Sequence, residues 1–421
     1  MTDAARRVQR TYLTLTLLTT LSASFIWGVN TLFLLDAGLD NTEAFLANAA
    51  FTLGMVIFEI PTGVVADTRG RRFSFLLGTA TLLASTLAYF AMWQVRAPLW
   101  GWVVASMFIG LGFTFFSGAT EAWLVDALGA TGMTEGLDAV FGRAQAVSGG
   151  GMLAGSVLGG VLAQVTNLGA PYLARAGLLA VTLAVAAVAM RDLGFTPDAA
   201  ARPLAAVRTV LAGSLEGGLR NPPVRWLMLA AVFTSGTGIY VFYALQPFLL
   251  ELAGDPGAYS IAGLAAALIA AAQMVGGLLA RPARRWFRRR TDALVLGAVV
   301  SVALVVGIGF VRSLVPALTL VAGWALVSAV TVPIRQAFVN GLIPSAQRAT
   351  VLSFDSLMGS AGGVVAQPAL GRVADVAGYP ASFLASAAIA AGAIPFTLLA
   401  RRERAGSDLR TDTLPDDPKP S

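Results

Sequence analysis

Four ionisable side chains stand deep inside apolar stretches of this 421-residue chain: Glu59, Glu121, Arg335 and Asp355. A charge taken out of water is costly, so in such a setting it has a partner or a task. The chain contains no histidine and no cysteine. A proton bound or released within it must therefore ride on a carboxylate. Glu121 and Asp355, with Glu59 as a third, are the candidates for binding a proton or a polar solute, and Arg335 is the cation able to pair with them. Asp36 and Arg175 lie near the ends of their apolar stretches and read as solvated. A denser cluster follows Glu59. In residues 63–72, Gly-Val-Val-Ala-Asp-Thr-Arg-Gly-Arg-Arg, one carboxylate, Asp67, is set among Arg69, Arg71 and Arg72. At a corner between two helices such groups can form bidentate, charge-assisted hydrogen bonds, and the glycines let the chain turn.

Other chemistries lack their residues. No Gly-x-x-x-x-Gly-Lys loop occurs, and Gly149-Gly150-Gly151 lies in an apolar run without a lysine, so no phosphate cradle is expected. The missing cysteine and histidine exclude disulfides and thiol or imidazole metal sites. We expect no enzyme, no nucleotide-driven pump, no cofactor and no bound metal.

The elements that must position these charges are read from hydropathy. The chain is 56% hydrophobic and 12% charged, against about 25% charged in a soluble domain. Twelve apolar segments can be placed at 12–35, 43–66, 73–94, 98–127, 139–166, 169–190, 224–252, 258–280, 292–312, 315–341, 348–376 and 379–400. Each has about the 20 residues, or more, needed to cross about 30 Å of hydrocarbon. The first is too long for a cleaved signal and lacks a cleavage site. With the N-terminus inside, 24 of the 29 basic residues fall on the inner side; Arg96, Arg175, Arg312 and Arg372 fall outside and Arg335 within a span. That asymmetry places both termini in the cytoplasm. The arginine-rich run 281–290 then reads as a topology signal that meets anionic lipid, with no room to follow nucleic acid.

Domain organisation follows: a first six-helix unit over 1–190, a linker over 191–223, a second unit over 224–402 and a disordered cytoplasmic tail over 403–421. In the linker Leu204, Val207, Leu211 and Leu215 recur at helical spacing beside Arg208, Glu216 and Arg220, which suggests an amphipathic helix on the inner membrane surface. A short pattern also repeats, at 63–67, 160–164, 277–281 and 371–375, with spacings of 97, 117 and 94 residues. Each copy is Gly-x-x-Ala followed by Asp67, Gln164, Arg281 or Asp375, and each closes an apolar segment, on alternating sides. Four three-helix units, inverted within each half, would produce this.

The cluster in 63–72 resembles the loop between the second and third helices of the major facilitator superfamily of secondary transporters. Gly63, Asp67, Gly70, Arg71 and Arg72 match its pattern, and the lead-in Glu59-Ile60-Pro61-Thr62 is similar to a bacterial efflux-type subgroup. The single lysine, Lys419, against 28 arginines also reads as a GC-rich bacterial coding bias. The resemblance implies an all-α membrane protein of twelve transmembrane helices in two pseudo-symmetric six-helix bundles. It implies a latch in which Asp126 faces Arg71, and a cavity lined by Asn30, Tyr240, Tyr243 and Gln246. Gly151, Gly155 and Gly159 are spaced like the family's antiporter motif in the fifth helix, with Ser156 in place of its proline; the same glycines suit plain helix packing. Gly110 and Gly112 resemble a fourth-helix motif, with Ser106 in place of its buried arginine. The expected activity is secondary transport of a small molecule across the cell membrane by alternating access, as a monomer surrounded by lipid. Proton-coupled efflux leads, proton-coupled uptake is the runner-up, and a non-transporting receptor or scaffold on the same fold is the reading from another class.

Overall fold

A computed structural model describes residues 2–133, 136–197, 218–343 and 348–409. The proposed amphipathic helix around Leu204–Glu216 lies outside these residues. The helices are α1 (Asp3–Trp27), α2 (Asn30–Asp36), α3 (Asn41–Arg69), α4 (Arg71–Val95), α5 (Leu99–Thr114), α6 (Ala119–Ala130), α7 (Leu137–Val165) and α8 (Ala170–Ala189) in the first half. The second half has α9 (Pro222–Ala253), α10 (Tyr259–Arg284), α11 (Arg290–Phe310), α12 (Leu314–Asn340), α13 (Arg348–Ala391) and α14 (Ala393–Arg402).

Some helices share a crossing and one makes two. α1 and α2 form one span bent by 48°. α5 and α6 form another, broken before Gly118, whose φ of 66° suits a residue without a Cβ. α13 has 44 residues, about 66 Å of helix, twice the hydrocarbon thickness. Gly378, at φ 82° and ψ 168°, divides it into 348–377 and 379–391. The described residues thus make twelve crossings, and the first and last helical ends share one face, here the terminal face. The other is the far face. α1 starts at Asp3, ahead of the apolar segment, because Arg6, Arg7 and Arg10 can continue the helix in the polar interface. Val188, Leu278 and Trp100 are 80%, 79% and 71% exposed. Lipid is the solvent that makes such a surface stable.

Packing differs between the faces. On the far side the apolar clusters cross the halves: Leu250 and Ala262 join Phe33 and Trp102, and Phe45 joins Tyr240 and Phe248. On the terminal side one cluster ends at Met190 and the other begins at Val224. Helix α7 meets α1 through its small residues. A Cβ on Gly155 would come within 2.7 Å of Ser24, and one on Gly159 would enter the Phe25 carbonyl.

Two segments expected to be linker or tail are tied down. Residues 191–197 fold onto the first half, where the Trp123 indole donates to the Arg191 carbonyl at 2.7 Å. The tail does not loosen at 403, as its polarity suggested. Trp226 donates to Glu403 at 2.9 Å, Asp408 is 1% exposed, and Leu409 forms an isolated bridge with Arg289. The cause is the start of α11, whose free amides need acceptors that residues 403–409 supply. Arg284 and Arg290 of the basic run turn inward and donate to carbonyls of this strap.

Candidate transport pathway

The far face is shut by pairs of pseudo-equivalent contacts. Asp375, last residue of the fourth repeat copy, accepts from the Asn41 and Thr42 amides at 2.9 Å each. It also accepts from the Asn41 side chain at 2.9 Å and the Thr42 hydroxyl at 2.5 Å. One carboxylate of the second half thereby caps α3 of the first. Gln164, last residue of the second copy, does the reverse: its side-chain oxygen accepts from the Ser260 amide in the first turn of α10 at 3.0 Å. The repeat glycines let the backbones meet. A Cβ on Gly160 would lie 2.8 Å from Gly263, and one on Gly371 would lie 2.7 Å from the Asn41 carbonyl. Gln246 completes the seal, accepting from the Thr31 amide at 2.8 Å and donating to the Trp27 carbonyl at 2.6 Å.

The terminal side is open. A cavity of about 490 Å³ is lined by Tyr12, Thr16, Phe75, Phe116, Thr120 and Glu121, among others. Glu121 is exposed there and makes no ion pair among the described residues. Glu59 accepts from the Ser117 hydroxyl, on the cavity wall, at 2.6 Å. The break between α5 and α6 places Glu121 and Ser117 on this space, and Ser117 ties in Glu59 of α3. The hydrogen bonds named above that join the halves all come from the far ends of their helices, so the molecule stands far-side closed and terminal-side open.

The charged corner at 63–72 is assembled within the first half. Arg71 donates to Asp67 at 2.5 Å, approaches Asp126 at 4.0 Å and lies over the Phe195 ring at 5.7 Å. The Arg72 amide donates to Asp192 at 2.9 Å and its guanidinium to the Ala187 carbonyl at 2.8 Å. Gly70 has φ 107°, and a Cβ there would also run into the Asp192 carboxylate. Gly63 faces open space in this conformation.

In the second half Arg335 and Asp355 form a bidentate pair, both contacts at 2.6 Å, and Arg335 adds a bond to the Leu227 carbonyl at 3.1 Å. Arg335 is therefore engaged by Asp355, and Glu121 stands apart. Of the expected cavity-lining residues, Asn30, Tyr240 and Gln246 are buried in the closed far half, and Tyr243 is partly exposed. They do not face the open cavity, because the helices that carry them are packed together on the far side. Tyr240 donates to Ser382 at 2.6 Å; Asn30 donates to Asn48 at 2.9 Å and accepts from Tyr172 at 2.8 Å.

One of the two solvated readings is overturned. Asp36 is exposed as expected, although it also accepts from the Trp93 indole at 2.7 Å. Arg175 is 2% exposed, because its long side chain runs back from the helix end into the bundle. Sequence reasoning also missed Gln164 and Asp375 as gate residues, although the repeat had marked both positions. A polar residue closing Gly-x-x-Ala was the signal, and the helix it would cap was not legible.

A sequence profile of the Major Facilitator Superfamily matches residues 12–322. An uncharacterized MFS-type transporter of Methanocaldococcus jannaschii is 25% identical over 157 residues, 37% of this chain and 39% of that relative, so the match spans well under half of its length. Among solved structures, the nucleoside transporter NupG superposes with a TM-score of 0.76 at 10% identity, covering 94% of this chain and 99% of that one. A bacterial homologue of the human lysosomal transporter Spinster, inward-facing and unoccupied, superposes with a TM-score of 0.71 at 16% identity, covering 98% of this chain and 100% of that one. At these identities the structural likeness is one of fold.

Proposed function

Because the chain belongs to the Major Facilitator Superfamily, a family of multi-pass membrane transporters and not of enzymes, we propose that it exports a small molecule across the bacterial cell membrane in exchange for protons. The terminal face is cytoplasmic in this reading, as the distribution of basic residues requires. The conformation described is then inward-open. Transport alternates it with a state in which the Asp375 and Gln164 caps release and the cytoplasmic ends close. The first-half network of Asp67, Arg71 and Asp126, with Gly63, Gly70 and Arg72 shaping the corner, is the cytoplasmic latch. Asp67 is 48% exposed, free to turn from Arg71 toward the positive start of α13 when the halves approach.

The observation that carries the proton is Glu121, a carboxylate in the open cavity with no counter-charge. A proton and a solute can compete for such a group. Glu59, bonded to Ser117 of the cavity wall, is the second carboxylate in this reading, and the Arg335–Asp355 pair is a charge store that a solute or helix movement can break. The carrier works as a monomer, and the outward-facing arginines of 281–290 rest on anionic lipid.

The test uses everted vesicles energised to an acidic interior, with a pH-sensitive dye and a panel of small compounds. Export by exchange predicts that some compounds discharge the gradient, and that Glu121→Gln abolishes the discharge while substrate counterflow persists. Compounds that move without proton discharge in the parent protein would sink the coupling.

A further inference from the structure

Arg175 is a cation without a counter-ion. It is 2% exposed, and it takes part in none of the ion pairs among the described residues. Its Nε donates to the Thr86 hydroxyl at 3.1 Å and its guanidinium lies over the Phe113 ring at 5.8 Å. Its two terminal nitrogens have no acceptor within hydrogen-bond distance among the described residues. One neutral hydroxyl and one ring face compensate only part of the cost of burying a guanidinium. Arginine matches a carboxylate through two parallel donors, and here those donors are left over.

A second observation points the same way. Tyr172 lies three residues before Arg175, on the same face of α8. It donates to Asn30, which donates to Asn48. The Asn48 amide nitrogen is buried and has no partner, and neither do the Gln367 oxygen and the Thr31 hydroxyl nearby in the same seam. Buried polar groups are normally satisfied, so a run of orphans marks a place where partners are missing in this conformation. The seam lies between the halves: Gln367 of α13 donates to Thr52, one turn along α3 from Asn48, at 3.4 Å. The unmet donors, a guanidinium and an amide, call for an acceptor with negative charge. The aromatic surroundings, Phe113 under the guanidinium and Tyr89 and Tyr172 stacked with Phe33, suit a flat apolar body that joins the stack when the halves part.

We propose that Arg175 and Asn48 form the binding subsite for the charged group of a small aromatic carboxylate, or an organic anion of the same shape. The proposal rests on the transport reading above, since it names the class of solute that would travel between the halves. In the far-closed state described here the subsite is sealed, so it is filled when the far gate loosens and the two halves rock about it.

Titration calorimetry on the full chain in lipid nanodiscs tests this with 2-naphthoate and its uncharged isostere 2-naphthamide. The parent protein is expected to prefer the anion by about tenfold or more, the usual strength of a charged hydrogen-bond pair. Arg175→Gln and, independently, Asn48→Asp should reduce that preference to about one while leaving the weaker amide binding in place; Arg175→Lys should keep part of it. A merely structural role for Arg175 would not change discrimination between two ligands of one shape. Equal affinities in the parent protein, no saturable binding of either probe, or an anion preference that survives Arg175→Gln would each overturn the subsite. Anion binding that depends on Arg175 without any naphthoate exchange in vesicles would instead sink the transport reading and leave the subsite standing. Vesicles that carry other compounds while naphthoate fails to bind would do the opposite.

Discussion

Asp408 holds Thr291 by both of its polar groups: one carboxylate oxygen accepts the backbone amide and the other the hydroxyl, each at 2.8 Å. Asp192 does the same office in the first half, accepting from the Arg72 amide at 2.9 Å. Thr291 and Arg72 are each the second residue of their helix, α11 and α4. Both aspartates precede a leucine just past the sixth crossing of their half. The two halves thus fasten the helix after their charged loop with one device, a carboxylate borrowed from the half's last segment. Capping at the second helical amide is worth about 1 kcal/mol, and more when the acceptor is charged and buried. Asp408→Ala should lower the thermal midpoint by a few degrees in a tryptophan-fluorescence melt, and ending the chain at residue 402 should lower it at least as far. An unchanged midpoint in both would mean the strap is decoration.

The far gate is expected to depend on Asp375. Its four hydrogen bonds join the halves, so Asp375→Ala removes all four while leaving each half intact. The chain has no cysteine, so Phe45→Cys reports access without a background. Labelling of that cysteine from the far side should rise severalfold with Asp375→Ala, as the population shifts toward far-side opening.

At the other face, Asp67→Asn weakens the pairing with Arg71 and any alternative contact with α13. Introduced cysteines should become more accessible from the terminal side and less so from the far side. The latch assignment fails if both accessibilities stay at the parent level while expression is normal.

Glycines of the charged corner should separate. Gly70→Ala forces a Cβ into a backbone conformation, φ 107° and ψ 151°, that essentially only glycine adopts, and against Asp192, which costs about 1–3 kcal/mol for the conformation alone. Gly63→Ala meets nothing in this conformation and should leave the melt unchanged. Any loss of transport in Gly63→Ala would then report on the closed terminal side, where another helix has to approach.

Breaking the Arg335–Asp355 pair from one side should be severe. The two side chains are 27% and 11% exposed, and an uncompensated charge at such a site costs about 3 kcal/mol or more. Asp355→Asn is expected to melt several degrees lower than the parent. Arg335→Gln combined with Asp355→Asn should recover much of that loss, because the neutral pair leaves no buried charge.

The sequence by itself determined the membrane architecture. Apolar runs long enough to span a bilayer leave few alternatives, since a chain in lipid must satisfy its own backbone, and the break at Gly378 was legible as the gap between the segments 348–376 and 379–400. The corner at 63–72 was legible too, because Asp67, Gly70 and Arg71 interact within one turn and a tight loop. What only the tertiary structure decided is how distant charges pair. Arg175 and Asp36 both stand near segment ends, where sequence alone cannot tell a side chain that reaches water from one that reaches inward; the structure buries the first and leaves the second exposed, bonded to Trp93. Asp375 and Asn41 are 334 residues apart, and Arg335 has Asp355 where Glu121 was an equal alternative in sequence. Hydropathy is a local property that accumulates along the chain, whereas partner choice depends on helix rotation and on which face of the membrane is closed.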